Sequence, residues 1–358
     1  MIPGNFVFQS SPQRVIFGNG TRSALNDELK NLKITSVLIV TGNRHHGVAY
    51  ELRQSLADVT ATVFTGARMH TPVETTEAAL AVLSSRHIDG LLAVGGGSAI
   101  GLMKALAFRT DLPQVAVPTT YAGSEATDIL GETVGGRKLT RRDPRILPEL
   151  VIYDADLTLD LPAGASVCSG MNALAHGVEA MYAQDGSPVV SLLARTGLSV
   201  LAKALPVIAA DPSNANSRVE ALYGAWLCAM VLRSTSMALH HKLCHVLGGT
   251  FGLPHAETHA VILPHAAAFN FRAAPEAMAE IARALETSSA PRGIFELGRR
   301  IGAPVSLRDI GMPQDGLNQA VDIAMAQPCW NPRPLDREGV YALLEDAWHG
   351  RPPEDSRL

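Results

Sequence analysis

The run "GLLAVGGGSAIGLMKALAFR" (Gly90–Arg109) changes its periodicity halfway along. Gly90–Val94 is apolar throughout, which predicts a strand buried on both faces. Ala99 to Arg109 spaces its apolar residues as a helix does. Gly95, Gly96, Gly97 and Ser98 stand between them. Glycines let the backbone turn sharply and approach a ligand closely, and a helix start offers free N–H groups to an anion such as a pyrophosphate. The spacing is not GxGxxG, and the loop follows the third expected strand rather than the first. Taken alone, it fits a tight strand-to-helix turn as well as a phosphate cradle.

The same pattern repeats on either side. "SVLIVTG" (Ser36–Gly42), "ATVFTG" (Ala61–Gly66), "QVAVPTT" (Gln114–Thr120) and "ELVIYD" (Glu149–Asp154) read as further strands, separated by helical stretches near 47–57 and 73–87. Apolar strands alternating with helices predict a parallel sheet covered on both faces. Beyond "LTLDLP" the pattern changes. "SLLARTGLSVLAKALPVIAA" and "SRVEALYGAWLCAMVLRST" are rich in Ala and Leu at helical spacing, and no run of comparable strand character follows. A chain of 358 residues is long enough for two domains. The expectation is an α/β dinucleotide-binding domain over 1–158 and an all-α substrate and catalytic domain over 159–358.

Composition narrows the function classes. The net charge is −4 and no Lys/Arg patch dominates, which speaks against nucleic-acid and membrane partners. "GRKLTRRDPR" (Gly136–Arg145) reads as a solvated loop. Cys168, Cys228, Cys244 and Cys329 are far apart and form no CxxC, so a reduced, cytoplasmic setting is expected. There is no signal-like start, and no uninterrupted apolar stretch reaches the length of about 18 residues needed for a span.

A second loop supports a nucleotide ligand. "VPTTYAGSEAT" (Val117–Thr127) puts hydroxyls at the carboxyl end of a strand, where open α/β sheets bind ligands. Gly96, Gly97, Ser98, Thr119, Thr120 and Thr127 are the candidate cofactor residues. At the end of the first strand, "VTGNRHHG" offers Gly42 where a carboxylate would hold a ribose 2′-hydroxyl, and Arg44 stands close by. NADPH is therefore expected to be tolerated alongside NADH.

Six of the twelve histidines lie in "HHKLCHVLGGTFGLPHAETHAVILPH" (His240–His265). Asn172 and His176, four apart, share a helix face, as do His241 and His245. His240 is rotated by about 100° from His241. His255 follows the break "GLP". His176, His241 and His255 can offer three ring nitrogens. An Asp at position 172 would complete a divalent-metal site, but Asn172 brings only a neutral amide. His259 and His265 read as structural.

In order along the chain, "GGGS", "PTT", "DADLTLDLP", "GMNALAHGVEA" and the pair His241 and His255 resemble the iron-containing alcohol dehydrogenase family. The likeness runs from about Phe6 to about Trp348. "FVFQSSPQRVIFGNG", "YAGSEATDILGE" and "NPRPLDREGVYALLEDAW" resemble its maleylacetate-reducing branch. The resemblance implies the dehydroquinate synthase-like fold, an active site in the cleft between two domains, and a homodimer. It places the family's metal positions on Asn172, His176, His241 and His255, and a further active-site histidine on His245. It adds Lys138 and Leu157 to the cofactor positions. Asn172 replaces the family's Asp, which argues against iron while leaving three histidines able to hold an ion. The implied activity is NAD(P)H-dependent, metal-independent reduction of maleylacetate, a small dianionic enone, to 3-oxoadipate in the breakdown of aromatic compounds. Such chemistry needs an enolate stabiliser and a proton donor, and imidazoles can serve as both. His241 and His245 are expected in these parts, with His255, His176 and Asn172 completing the pocket and Lys242 and Arg333 as candidate carboxylate anchors. A metal-dependent alcohol dehydrogenase of the same fold is the alternative reading, and a nucleotide-binding protein without turnover is a third.

Overall fold

A computed structural model describes residues 5–135, 137–326 and 329–353. The chain divides into two compact units, Ser10–Leu161 and Pro162–Leu358, the latter joined by the stretch ahead of Ser10. The junction falls at Pro162, the N-cap of a long helix, just beyond a 3-10 turn over Ala155–Thr158.

The first unit runs β1 (Arg14–Gly18), α1 (Leu25–Asn31), β2 (Ser36–Thr41), α2 (His46–Ser55), β3 (Thr60–Phe64), α3 (Val73–Ser84), β4 (Gly90–Gly95), α4 (Gly97–Thr110), β5 (Gln114–Pro118), β6 (Ile129–Val134), β7 (Arg137–Arg142) and β8 (Leu150–Asp154). Six strands form one parallel sheet in the order β1-β8-β5-β4-β2-β3. Alternate residues (Val37 and Ile39, Leu92 and Val94, Val115 and Val117) share a core with Leu25 and Leu29 of α1 and Ala49 and Leu52 of α2. Their neighbours Leu38, Leu91, Ala93 and Ala116 are also buried. Burial on both faces explains why these strands read as continuous apolar runs.

Two features depart from the expectation. β1 is an additional edge strand paired with β8; its five residues are too short and too mixed to signal a strand. "GRKLTRRDPR" is not a solvated loop, because it supplies β7, antiparallel to β6 across Gly135 at φ 54°. The guanidinium groups of Arg141 and Arg145 lie over the Phe108 ring of α4 at 4.5 and 5.0 Å. Arg109 pairs with buried Glu132 of β6 at 2.9 Å. These arginines cover apolar surface with their stems and meet partners with their heads, so a basic run can be a folded strand.

The second unit is helical: α5 (Ala163–Met181), α6 (Pro188–Ala210), α7 (Ala215–Ser234), α8 (Leu239–Phe251), α9 (His255–Asn270), α10 (Pro275–Ala284), α11 (Ala290–Arg300), α12 (Gly316–Ala326) and α13 (Arg337–His349). Its centre is formed by α5, buried from Ser166 to Ala180, and α9, buried from Thr258 to Asn270. Helix α6 is long and apolar enough to cross a membrane by length and composition, with a mean hydropathy of 1.5. Arg195 and Lys203 interrupt its sequence, so it contains no unbroken apolar run of that length. Its Val190, Ala194, Leu198, Leu201 and Leu205 are buried in a bundle with α5 and α7.

Candidate active site

In the α/β unit, β2 leads outward to β3 while β4 leads the other way to β5, so the strand order reverses between β2 and β4. Ligands of open α/β sheets bind at the carboxyl ends of the strands beside such a switch point. The loops there are Gly42–His45 and Gly95–Ser98. Gly95 sits at φ 142°, a region that side chains avoid, and a Cβ on Gly96 would stand 2.8 Å from Thr120 Cγ2. The two glycines therefore let the loop after β4 press against the loop after β5. Gly97 is exposed with open space above it, and Ser98 is half-exposed at the start of α4. Free N–H groups at a helix start beside an open glycine fit a pyrophosphate.

The other candidate cofactor residues divide into two groups. Thr120 is half-buried at the loop surface, whereas Thr119 is buried, with Oγ1 at 3.2 Å from His45 Nε2. Thr127 accepts a hydrogen bond from Lys104 Nζ at 3.0 Å and donates to Ser124 O at 3.0 Å. Leu157 packs against the sheet core. The Lys138 side chain lies outside the described residues.

Lys104 itself gives no sequence signal beyond its place on α4. It is fully buried and also donates to the carbonyl oxygens of Ser124, Thr127 (2.7 Å) and Ile129 (3.0 Å). Burial pulls its pKa down to about 7, against the raising influence of Glu125 and Asp128.

In the helical unit, α5 presents Asn172, His176 and Glu179 at helical spacing on one face. Sequence reasoning did not single out Glu179. It is fully buried, and its carboxylate accepts from His241 Nδ1 at 2.6 Å. The same carboxylate accepts the backbone N–H groups of Ala238 (3.1 Å) and His240 (2.8 Å). Helix α8 begins there with no side-chain cap of its own, so Glu179 satisfies its free N–H groups and places a negative charge at its positive end. One carboxylate thus starts the helix and orients its key ring. With Nδ1 fixed on Glu179, His241 presents Nε2, which is buried and has no hydrogen bond among the described residues.

Around His241 the rings converge. His176 stacks on it with centroids 5.3 Å apart, and His245, exposed on the next turn of α8, lies edge-on at 6.3 Å. His259 is fully buried and touches His176 (6.4 Å), His240 (4.8 Å), His241 (5.0 Å) and half-exposed His255 (4.4 Å). It is the hub of the cluster rather than a peripheral structural ring. His265 lies apart from that hub, edge-on to Phe295 at 6.5 Å. Burial, reinforced by neighbouring imidazoles, drives the pKa values of His176, His240 and His259 well below the usual histidine value. Lys242 is half-buried on α8. Arg333 lies over the Phe269 ring at 4.1 Å and pairs with Asp336 at 3.2 Å, so its charge is already engaged.

The family's metal set can be tested on donor chemistry. Asn172, His176, His241 and His255 supply three imidazoles and an amide, all neutral. Glu179 stands behind His241, where it can orient a ligand but does not replace the missing ligating carboxylate. The set therefore lacks the anionic ligand that the family's Asp supplies, while His176, His241 and His255 keep three imidazoles of the kind that can hold a divalent ion.

Comparison with known proteins agrees with the fold. Residues 12–155 match "Iron-containing alcohol dehydrogenase", and residues 166–348 match "Fe-containing alcohol dehydrogenase family, C-terminal". Maleylacetate reductase of Sphingobium indicum is 49% identical over 97% of this chain and 99% of its own length. Maleylacetate reductase 1 of Rhodococcus opacus is 47% identical over 98% of both chains. The crystal structure of maleylacetate reductase from Agrobacterium tumefaciens superposes with a TM-score of 0.94 at 44% identity, covering 98% of this chain and 100% of that one. By matches that span nearly its whole length, the chain belongs to the iron-containing alcohol dehydrogenase family.

Proposed function

We propose that the protein reduces maleylacetate to 3-oxoadipate with NADH or NADPH, using imidazoles rather than a metal. The observation that carries this reading is the buried Glu179–His241 pair, ringed by histidines with a neutral amide at position 172. Relatives named for that activity, 45–49% identical and matched over nearly their full length, support the choice of substrate.

A bound nicotinamide supplies a hydride. It adds to the alkene carbon nearer the conjugated carboxylate, and the alkene electron pair moves toward the ketone oxygen. His241, protonated on both nitrogens, donates Nε2–H to that oxygen as its charge grows, and Glu179 stabilises the imidazolium from behind. His245, exposed on the next turn, delivers a proton to the carbon beside the ketone. The carbon–carbon double bond becomes single. Burial leaves His176 neutral, so it shapes the pocket without repelling the His241 cation.

At the switch point, β2 ends without a carboxylate: Gly42 is followed by Asn43 and exposed Arg44. The loop Gly42–His45 itself sets no carboxylate against a 2′-phosphate. Any preference for NADH over NADPH is expected to stay under about 100-fold, or about 2.7 kcal/mol. Initial rates of both cofactors with maleylacetate test the two statements together. Absence of cofactor oxidation with maleylacetate overturns the substrate, and a larger NADH preference overturns the reading of Gly42 and Arg44.

A further inference from the structure

His240, Cys244 and His259 take no part in the chemistry above. His240 and Cys244 stand four apart on one face of α8, and His259 faces them from α9. His240 Nε2 is 2.9 Å from His259 Nδ1, and Cys244 Sγ is 3.7 Å from His240 Nε2. One ligand atom from each residue lies within 4.8 Å of the other two. None of the three is more than 2% exposed. A tetrahedral ion bonded to nitrogen at about 2.0–2.1 Å and to sulfur at about 2.3 Å separates its ligand atoms by about 3.3–3.6 Å. The His240–His259 and His240–Cys244 separations need adjustments of a few tenths of an ångström to match, and Cys244 and His259 close from a separation of at most 4.8 Å.

We propose that His240 Nε2, Cys244 Sγ and His259 Nδ1 form a buried site for a thiophilic divalent cation, zinc in particular, which ties α8 to α9. Binding displaces the thiol proton to solvent and forms one metal–sulfur and two metal–nitrogen bonds, with no redox change. The fourth corner is left to water. Charge separates this trio from the family's set. Zinc with one thiolate and two imidazoles keeps a single positive charge, and the buried Glu179 carboxylate accepts the backbone N–H of His240. The set at Asn172, His176, His241 and His255 brings no anionic ligand.

Sulfur gives the test its selectivity. Chelator-treated, reduced full-length protein is titrated with cobalt(II), followed by absorption and by melting temperature. The expected result is one equivalent bound with a thiolate-to-cobalt charge-transfer band. Cys244→Ala and Cys244→Ser should lose the band while still melting cooperatively, and His176→Ala should keep it. Zinc should displace the cobalt and raise the melting temperature of the wild type but not of either Cys244 variant. Uptake without the band, a band that survives in the Cys244 variants, or no uptake at all overturns the proposal.

Discussion

Glu179 carries more of the site than any histidine, because one buried carboxylate both caps α8 and fixes the His241 ring. Glu179→Gln keeps the shape but removes the charge that favours imidazolium, and turnover is expected to fall by about 10²–10⁴ with a smaller change in KM. Unchanged turnover would mean that His241 works without its carboxylate. His245→Ala is expected to lower turnover over the same range of about 10²–10⁴ if that ring delivers the proton. Asn172 and the histidines were legible as a set in the sequence. Glu179 was not, although its place three residues after His176 puts it on the same helix face; a helix cap and a ring orienter both depend on a second helix that sequence spacing does not locate. His265 illustrates a different property. Burial pushes its pKa down to about 4, with Asp346 acting weakly the other way. A histidine held neutral in the fold binds fewer protons than its unfolded counterpart, so stability falls as pH drops below about 6.5 and continues to fall until the folded pKa is passed. That contribution amounts to roughly 3 kcal/mol when complete. The wild type should therefore lose melting temperature more steeply than His265→Leu between neutral pH and about 4, a range set by the unfolded and folded values. Parallel pH–melting curves would contradict this.

Among the elements, α4 joins the site to its support. Its first turn offers Gly97 and Ser98, and in its third turn Lys104 holds the carbonyls of Ser124, Thr127 and Ile129. Lys104→Met leaves those acceptors without their donor and frees the loop after β5. The KM for NAD(P)H is expected to rise about tenfold, equivalent to about 1.4 kcal/mol, with turnover at saturating cofactor little changed. A KM that stays constant would show that the loop is held by other contacts. The apolar strands β2, β4, β5 and β8 were legible because burial on both faces leaves an unbroken apolar run. The β6–β7 hairpin was not, because Arg141 finds partners in Phe108 and Glu132, and Arg142 in Asp128, that only tertiary structure brings near.

At the scale of the molecule, the switch from strand–helix alternation to continuous helix makes both units legible from the order of residues alone. The division itself lies at Leu161–Pro162, because the 3-10 turn after β8 remains with the sheet. The α/β unit carries the candidate cofactor loops at its switch point, and the helical unit provides an imidazole cluster with an internal carboxylate. The uncharged amide at position 172, beside this cluster, is what the proposed imidazole chemistry rests on. The direct measurement is the rate of NAD(P)H oxidation with maleylacetate, well below the melting temperature, by protein exhaustively treated with chelator and then resupplied with iron(II) or zinc. Turnover that survives chelation and is not raised by either metal is the expected result. Turnover abolished by chelation and restored by metal, with the fold intact, would contradict it.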